Sequence, residues 1–119
     1  MEGLSPGADG QKLWHDLEVL PQDVTMFKNR YSALIPGSSS LERFLRSSNL
    51  DTILVGGTKT NVCCESTARD AMMLDFKTVM VSDCLAALTD EEHRFSLETF
   101  IQQFGDVMDS QKIIKLLSN

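Results

Sequence analysis

The chain has little with which to build a cross-linked or metal-clamped scaffold. Its 119 residues include three cysteines and two histidines, and no C-x-x-C occurs. Cys63 and Cys64 are adjacent, which leaves no disulfide framework, so reduced thiols and a cytoplasmic setting are expected. With only His15 and His93 to add, no zinc site is expected, and nothing implies another cofactor. No apolar run approaches the roughly 20 residues of a membrane span. The N-terminus, Met1-Glu2-Gly3-Leu4-Ser5-Pro6, lacks the basic and apolar regions of a signal peptide. No basic cluster offsets the net charge of −6, which argues against nucleic acid or an anionic membrane as partner. Repeats and low-complexity tracts are absent.

What is present is one alternating pattern. Residues 1–20 read as a loop-like arm and 21–119 as a βα core, together one domain. Strands are expected at Val24–Lys28, at residues 51–56, at Lys77–Ser82 and at Asp106–Met108. Helices are expected over about 40–48, from Ser66 to about Asp75, after Thr89, and after Asp109 or Ser110. Ser39-Ser40-Leu41-Glu42 and Thr89-Asp90-Glu91-Glu92 have the form of capping boxes, and Asn49 and Gly105 read as helix stops. Asp83 to Ala87 reads as a loop. His93, Leu97, Phe100, Ile101 and Phe104 form one helical stripe, Met72 and Met73 read as core filler, and Ile113, Ile114 and Leu117 are the apolar positions of the last helix. The order β-α-β-α-β-α-β-α implies a parallel, Rossmann-like sheet in a three-layer α/β/α fold with right-handed crossovers.

The chemistry concentrates at Gly56–Ser66, between the strand Asp51-Thr52-Ile53-Leu54-Val55 and the following helix. A cysteine at such a turn meets unpaired backbone N–H groups and the positive end of the helix dipole, both of which favour a thiolate. Cys63 is the candidate nucleophile; its alternative is a small buried hydrophobe. Cys64, about 100° further round the helix, reads as packing. Lys28 ends its expected strand at the same sheet edge, where it can stabilise a thiolate or simply face water. Lys59 can also bring a cation to the turn. Arg30, Tyr31 and Asn61 can orient a substrate or brace loops. His93 reads as a satisfied, partly buried histidine, and nothing in the sequence brings it to Cys63.

Two segments resemble the isochorismatase-like cysteine hydrolases. Lys28-Asn29-Arg30-Tyr31-Ser32-Ala33-Leu34 is similar to their K-x-R-Y-S-A-F segment. Gly57 through Ala71 is similar to their G-x-x-T-N-V-C-x-E-S-T-A-R-D-A turn, and Val81-Ser82-Asp83 and Thr89-Asp90-Glu91-Glu92-His93 continue the likeness. The family includes nicotinamidases, N-carbamoylsarcosine amidases, ureidoacrylate amidohydrolases and isochorismatases. The resemblance implies hydrolysis of C–N bonds in small amides by an Asp-Lys-Cys triad. Cys63 would be the nucleophile and Lys28 the triad lysine. The amides of Lys59 and Cys63 would form the oxyanion hole, after a cis bond at Thr58–Lys59. Tyr31 and Asn61 would contact the substrate.

The likeness has gaps. The family's triad aspartate lies in a D-x-Q-x-D-F-like segment, and neither it nor the nicotinamidases' D-x-H-x-H metal cluster is found here. Lys59 and Leu34 stand where an apolar residue and an aromatic are usual. The chain thus looks like the C-terminal portion of such a hydrolase, without its first strand and helix. The expectation is an amide or ureido hydrolase acting on a small amide or carbamoyl substrate, assembled as a homo-oligomer, with little activity from this portion alone. The alternative is a catalytically inactive interaction or oligomerisation module of the same descent. A redox-sensing thiol pair is a third, weaker alternative.

Overall fold

A computed structural model describes residues 4–118; the first three residues of the expected arm, and Asn119, lie outside the described residues. The elements run α1 (Leu41–Ser47), β1 (Thr52–Thr58), a π-helical turn (Thr60–Cys64), α2 (Glu65–Met73), β2 (Lys77–Ala86), α3 (Asp90–Gln103), β3 (Asp106–Met108) and α4 (Ser110–Leu117). The sheet is wholly parallel with spatial order β1-β2-β3. The expected α/β fold with a Rossmann-like sheet is therefore present.

Four expectations need correction. Val24–Lys28 is not a strand. A β segment exists through its ladder partners, and none pairs with it among the described residues. Its apolar side chains are left out of the core, with Val24 and Phe27 exposed. The segment expected as a loop from Asp83 continues β2 to Ala86, because a bulge between Val55 and Gly57 lets Gly57 and Thr58 pair with Leu85 and Ala86. The first capping box is not formed. The Ser39 hydroxyl instead accepts from the Leu41 N–H at 3.1 Å and donates to the Ala33 carbonyl at 2.7 Å. Finally, Met73, Ile101, Ile114 and Leu117 are exposed.

Other local signals are realised. Thr89 accepts from the Glu92 N–H at 3.1 Å, and Asp109 from the Lys112 N–H at 2.8 Å. Asn49 takes a φ of 56° after α1, with the Leu50 N–H returning to the Leu45 carbonyl, a left-handed helix end. Gly105 follows α3 for a different reason from the expected one. A Cβ there would collide with the Thr78 carbonyl oxygen and lie 2.9 Å from the Phe100 ring.

The core has two parts. Val55, Cys64, Ala68, Met80, Leu85 and Phe100 form the larger, where β1, the π turn, α2, β2 and α3 meet. Leu34, Leu45, Ala71 and Phe76 form the smaller, which ties α1 to α2. Ile53 packs against both. Residues 4–28 contribute nothing to either: Trp14 is 68% exposed and Phe27 77%. No helix among the described residues is long and apolar enough to cross a membrane.

Candidate active site

The parallel strands deliver the chain after β1 to the carboxyl edge of the sheet, where open α/β sheets bind their ligands. β1 ends at Thr58, and the Thr58–Lys59 peptide bond is cis. The backbone does not enter an α-helix at once. The Lys59 carbonyl accepts from both the Val62 and the Cys64 N–H groups, each at 3.2 Å, and the wide turn Thr60–Cys64 leads into α2. Cys63 therefore sits in a π turn before the helix, a form of backbone often found at functional sites.

The turn separates the two cysteines as their angular spacing predicts. Cys64 is 5% exposed and belongs to the larger core, with its sulfur 3.9 Å from the Gly56 carbonyl oxygen. Burial pushes its thiol up to about 11, the neighbouring Cys63 adds to the rise, and the Lys28 charge works against it. Cys64 is thus held as a neutral packing group. Cys63 is half-buried with a free thiol.

Lys28 reaches the same region without the strand expected to carry it. Its ammonium donates to the Arg30 carbonyl at 2.8 Å and the Tyr31 carbonyl at 3.1 Å, which curls the segment around its own cation. That segment is then seated on α2 and its own return loop. The Ala33 N–H donates to the Thr67 hydroxyl at 2.9 Å, and the Asn29 N–H to the Ser38 carbonyl at 3.2 Å.

The remaining expected residues scatter. Lys59 is half-buried in the turn. Asn61 is half-buried, and its Oδ1 is enclosed without a hydrogen-bond partner. Tyr31 is 65% exposed and lines a cavity of about 390 Å³ with Arg30, Ser66, Arg69, Asp70 and Met73. None of Cys63, Lys28, Lys59 or Asn61 lines that cavity, so it is not the space in front of the thiol. No cluster of three His, Cys, Asp or Glu that could hold a metal occurs among the described residues.

Two contacts escaped the sequence reading. The His93 ring comes from α3 to the turn, with Nδ1 2.8 Å from the Thr60 hydroxyl. Thr60 is fully buried, and an unpartnered hydroxyl there would cost about 1–3 kcal/mol. The Ser96 hydroxyl, one helical turn further along α3, donates to Glu65 Oε1. Glu65 also pairs with Arg69 at 2.9 Å, and the Arg69 guanidinium lies 4.4 Å over the Phe104 ring. The signal was the spacing: His93 and Ser96 share a helical face, although nothing local says what that face meets.

Comparison with known proteins identifies the family. The Isochorismatase domain profile matches residues 1–112. The chain is similar to enterobactin synthase component B of Escherichia coli, at 32% identity over 94% of this chain and 39% of that protein. It is similar to ureidoacrylate amidohydrolase of Cronobacter turicensis, at 33% identity over 97% of this chain and 49% of that protein. Among solved structures, a cysteine hydrolase from Pseudomonas syringae superposes with a TM-score of 0.88 at 31% identity, over 94% of this chain and 57% of that one. The chain spans about half the length of the relatives it matches. A profile matched along nearly the whole chain, on a parallel α/β fold, shows that the chain belongs to the isochorismatase domain family.

Proposed function

We propose that this chain carries the nucleophile half of a cysteine hydrolase for small amide or ureido C–N bonds, within one domain spanning 1–119. The observation that supports the reading best is the division of labour at the turn: Cys64 is buried and held neutral, and Cys63 is half-exposed at the carboxyl edge of the sheet. In this reading the Cys63 thiolate attacks the carbonyl carbon and a C–S bond forms. The electron pair moved onto the carbonyl oxygen is met by the Lys59 and Cys63 amides, as in other oxyanion sites. Collapse of the adduct breaks the C–N bond, the amine leaves with a proton, and water cleaves the thioester. Lys28 takes the place of the triad lysine that the family likeness implies, and Asn61 and Tyr31 contact the substrate. No residue of the chain matches the family aspartate that would carry the thiol proton to the amine, so this portion alone turns over poorly. Three free thiols fit a reducing, cytoplasmic compartment.

The test is alkylation by iodoacetamide at neutral pH, resolved by peptide mass spectrometry. Cys63 is expected to label well ahead of the exposed Cys84 and the buried Cys64. Labelling of Cys63 no faster than Cys84 sinks the reading. A second reading, an inactive module that binds its own kind, draws on the outer edge of β1, unpaired among the described residues, where Leu54 is 49% exposed. A Cys63-dependent turnover of any small amide or carbamoyl compound removes that alternative.

A further inference from the structure

We infer that His93 is a positioning residue for the cysteine turn, acting through the Thr60 hydroxyl; this rests on the reading of Cys63 as nucleophile. Thr60 opens the π turn and is fully buried, and its hydroxyl lies 2.8 Å from His93 Nδ1. Three residues later comes Cys63. Two residues after that, Glu65 is bound by Ser96 from the same face of α3. The cysteine is therefore bracketed, with one pin at residue 60 and one at residue 65, and both pins come from a single helix distant in sequence. That helix is itself fixed. Thr89 caps its start, and Phe100, fully buried, seats its last turn in the larger core.

The His93 pin does not depend on one protonation state. A threonine hydroxyl both donates and accepts. With Nδ1 bare the hydroxyl donates to it; with Nδ1 protonated, in the other tautomer or the imidazolium, the hydroxyl accepts. The tie is a geometric device that holds the start of the turn, and with it the Lys59 carbonyl onto which Val62 and Cys64 fold. Loss of the tie frees Thr60 to rotate and lets the turn sample shapes in which Cys63 no longer meets the helix end.

The experiment compares four substitutions in the full chain, His93→Phe, His93→Asn, Thr60→Val and Thr60→Ser, by the ratio of Cys63 to Cys84 iodoacetamide labelling rates. Thermal melts establish that each variant is folded at the labelling temperature. His93→Phe and Thr60→Val are each expected to lower the ratio at least fivefold. Asparagine, whose amide can stand near the place of Nδ1, and serine, which keeps the hydroxyl, are expected to restore it to within about twofold. The double change His93→Phe with Thr60→Val should be no worse than either alone, as for two ends of one contact. A ratio unchanged in His93→Phe, or not restored by asparagine in a folded protein, overturns the proposal while leaving Cys63 as nucleophile. A wild-type ratio near one overturns the nucleophile reading itself, and this proposal falls with it. If His93→Phe does not fold, the near-isosteric Thr60→Val and Thr60→Ser pair decides by the same criterion.

Discussion

Phe100→Ala probes the link between core and candidate site most directly. Phe100 is 0% exposed, its ring stacks on Phe104 with centroids 5.9 Å apart, and it closes over Gly105. Truncation forfeits the transfer energy of a buried aromatic, about 2–3 kcal/mol. It also leaves a cavity of roughly 100 Å³, which at ~24 cal/mol per Å³ adds about 2 kcal/mol where the surroundings do not relax. The expected loss is therefore ~3–5 kcal/mol, a large part of the roughly 5–15 kcal/mol that holds a domain together. In urea titration followed by circular dichroism, a slope of about 2 kcal/mol per molar turns this into a midpoint drop of roughly 2 M. Phe95→Ala on the same helix is the control. Its ring is 54% exposed under the Arg94 guanidinium, so a change within about 0.5 kcal/mol is expected. A Phe100→Ala cost below ~1 kcal/mol, or equal costs for the two, refutes the placement of the core between α3 and β2.

Two further changes test separate features. Gly105→Ala is expected to cost about 1–3 kcal/mol in urea melts, because its Cβ would meet the Thr78 carbonyl and the Phe100 ring; an unchanged midpoint refutes the close approach. The buried Cys64 thiol, pushed from an ordinary 9.0 to about 11, ionises more readily in the unfolded chain. Its contribution to stability is thus complete below pH 9 and is lost as pH rises toward 11. Cys64→Ala should flatten the urea midpoint over that window, and an undiminished slope contradicts the assignment.

Much of this fold was legible because its signals are local or periodic. The β-branched run ending at Val55 and the apolar centre of Lys77–Ser82 read as strands and are strands, although of β1 only Val55 is buried. Thr89 and Asp109 announced their helices by side-chain chemistry that needs no partner from afar. Val24–Lys28 failed for the opposite reason. Its composition favours a strand, yet a strand is made by its neighbours, and the described residues supply none. Gly105 was found at the right place for the wrong cause. A stop signal and a close approach both select glycine, and only the packing of Phe100 against Thr78 tells them apart.

The candidate site divides along the same line. Cys63 and Cys64 are consecutive residues, so their angular spacing alone predicts that they do not share a face, and the core takes Cys64. For Lys28 the sequence argument is an edge position gained as a strand end. No strand forms there: Lys28 lies in a curled segment, its ammonium bound to the Arg30 and Tyr31 carbonyls, so the argument from a strand end fails and its place beside Cys63 stays a proposal. For His93 the sequence offers no meeting with Cys63, and on pairwise terms that is sound: the contact is with Thr60. The relation becomes visible only when α3 is laid across the start of α2, because then residues 93 and 96 fall beside residues 60 and 65. A short polar side chain at the first position of such a turn, and a histidine on an otherwise apolar stripe, are each unremarkable. Their contact is not, since Thr60 has no access to solvent and needs a partner wherever the chain folds.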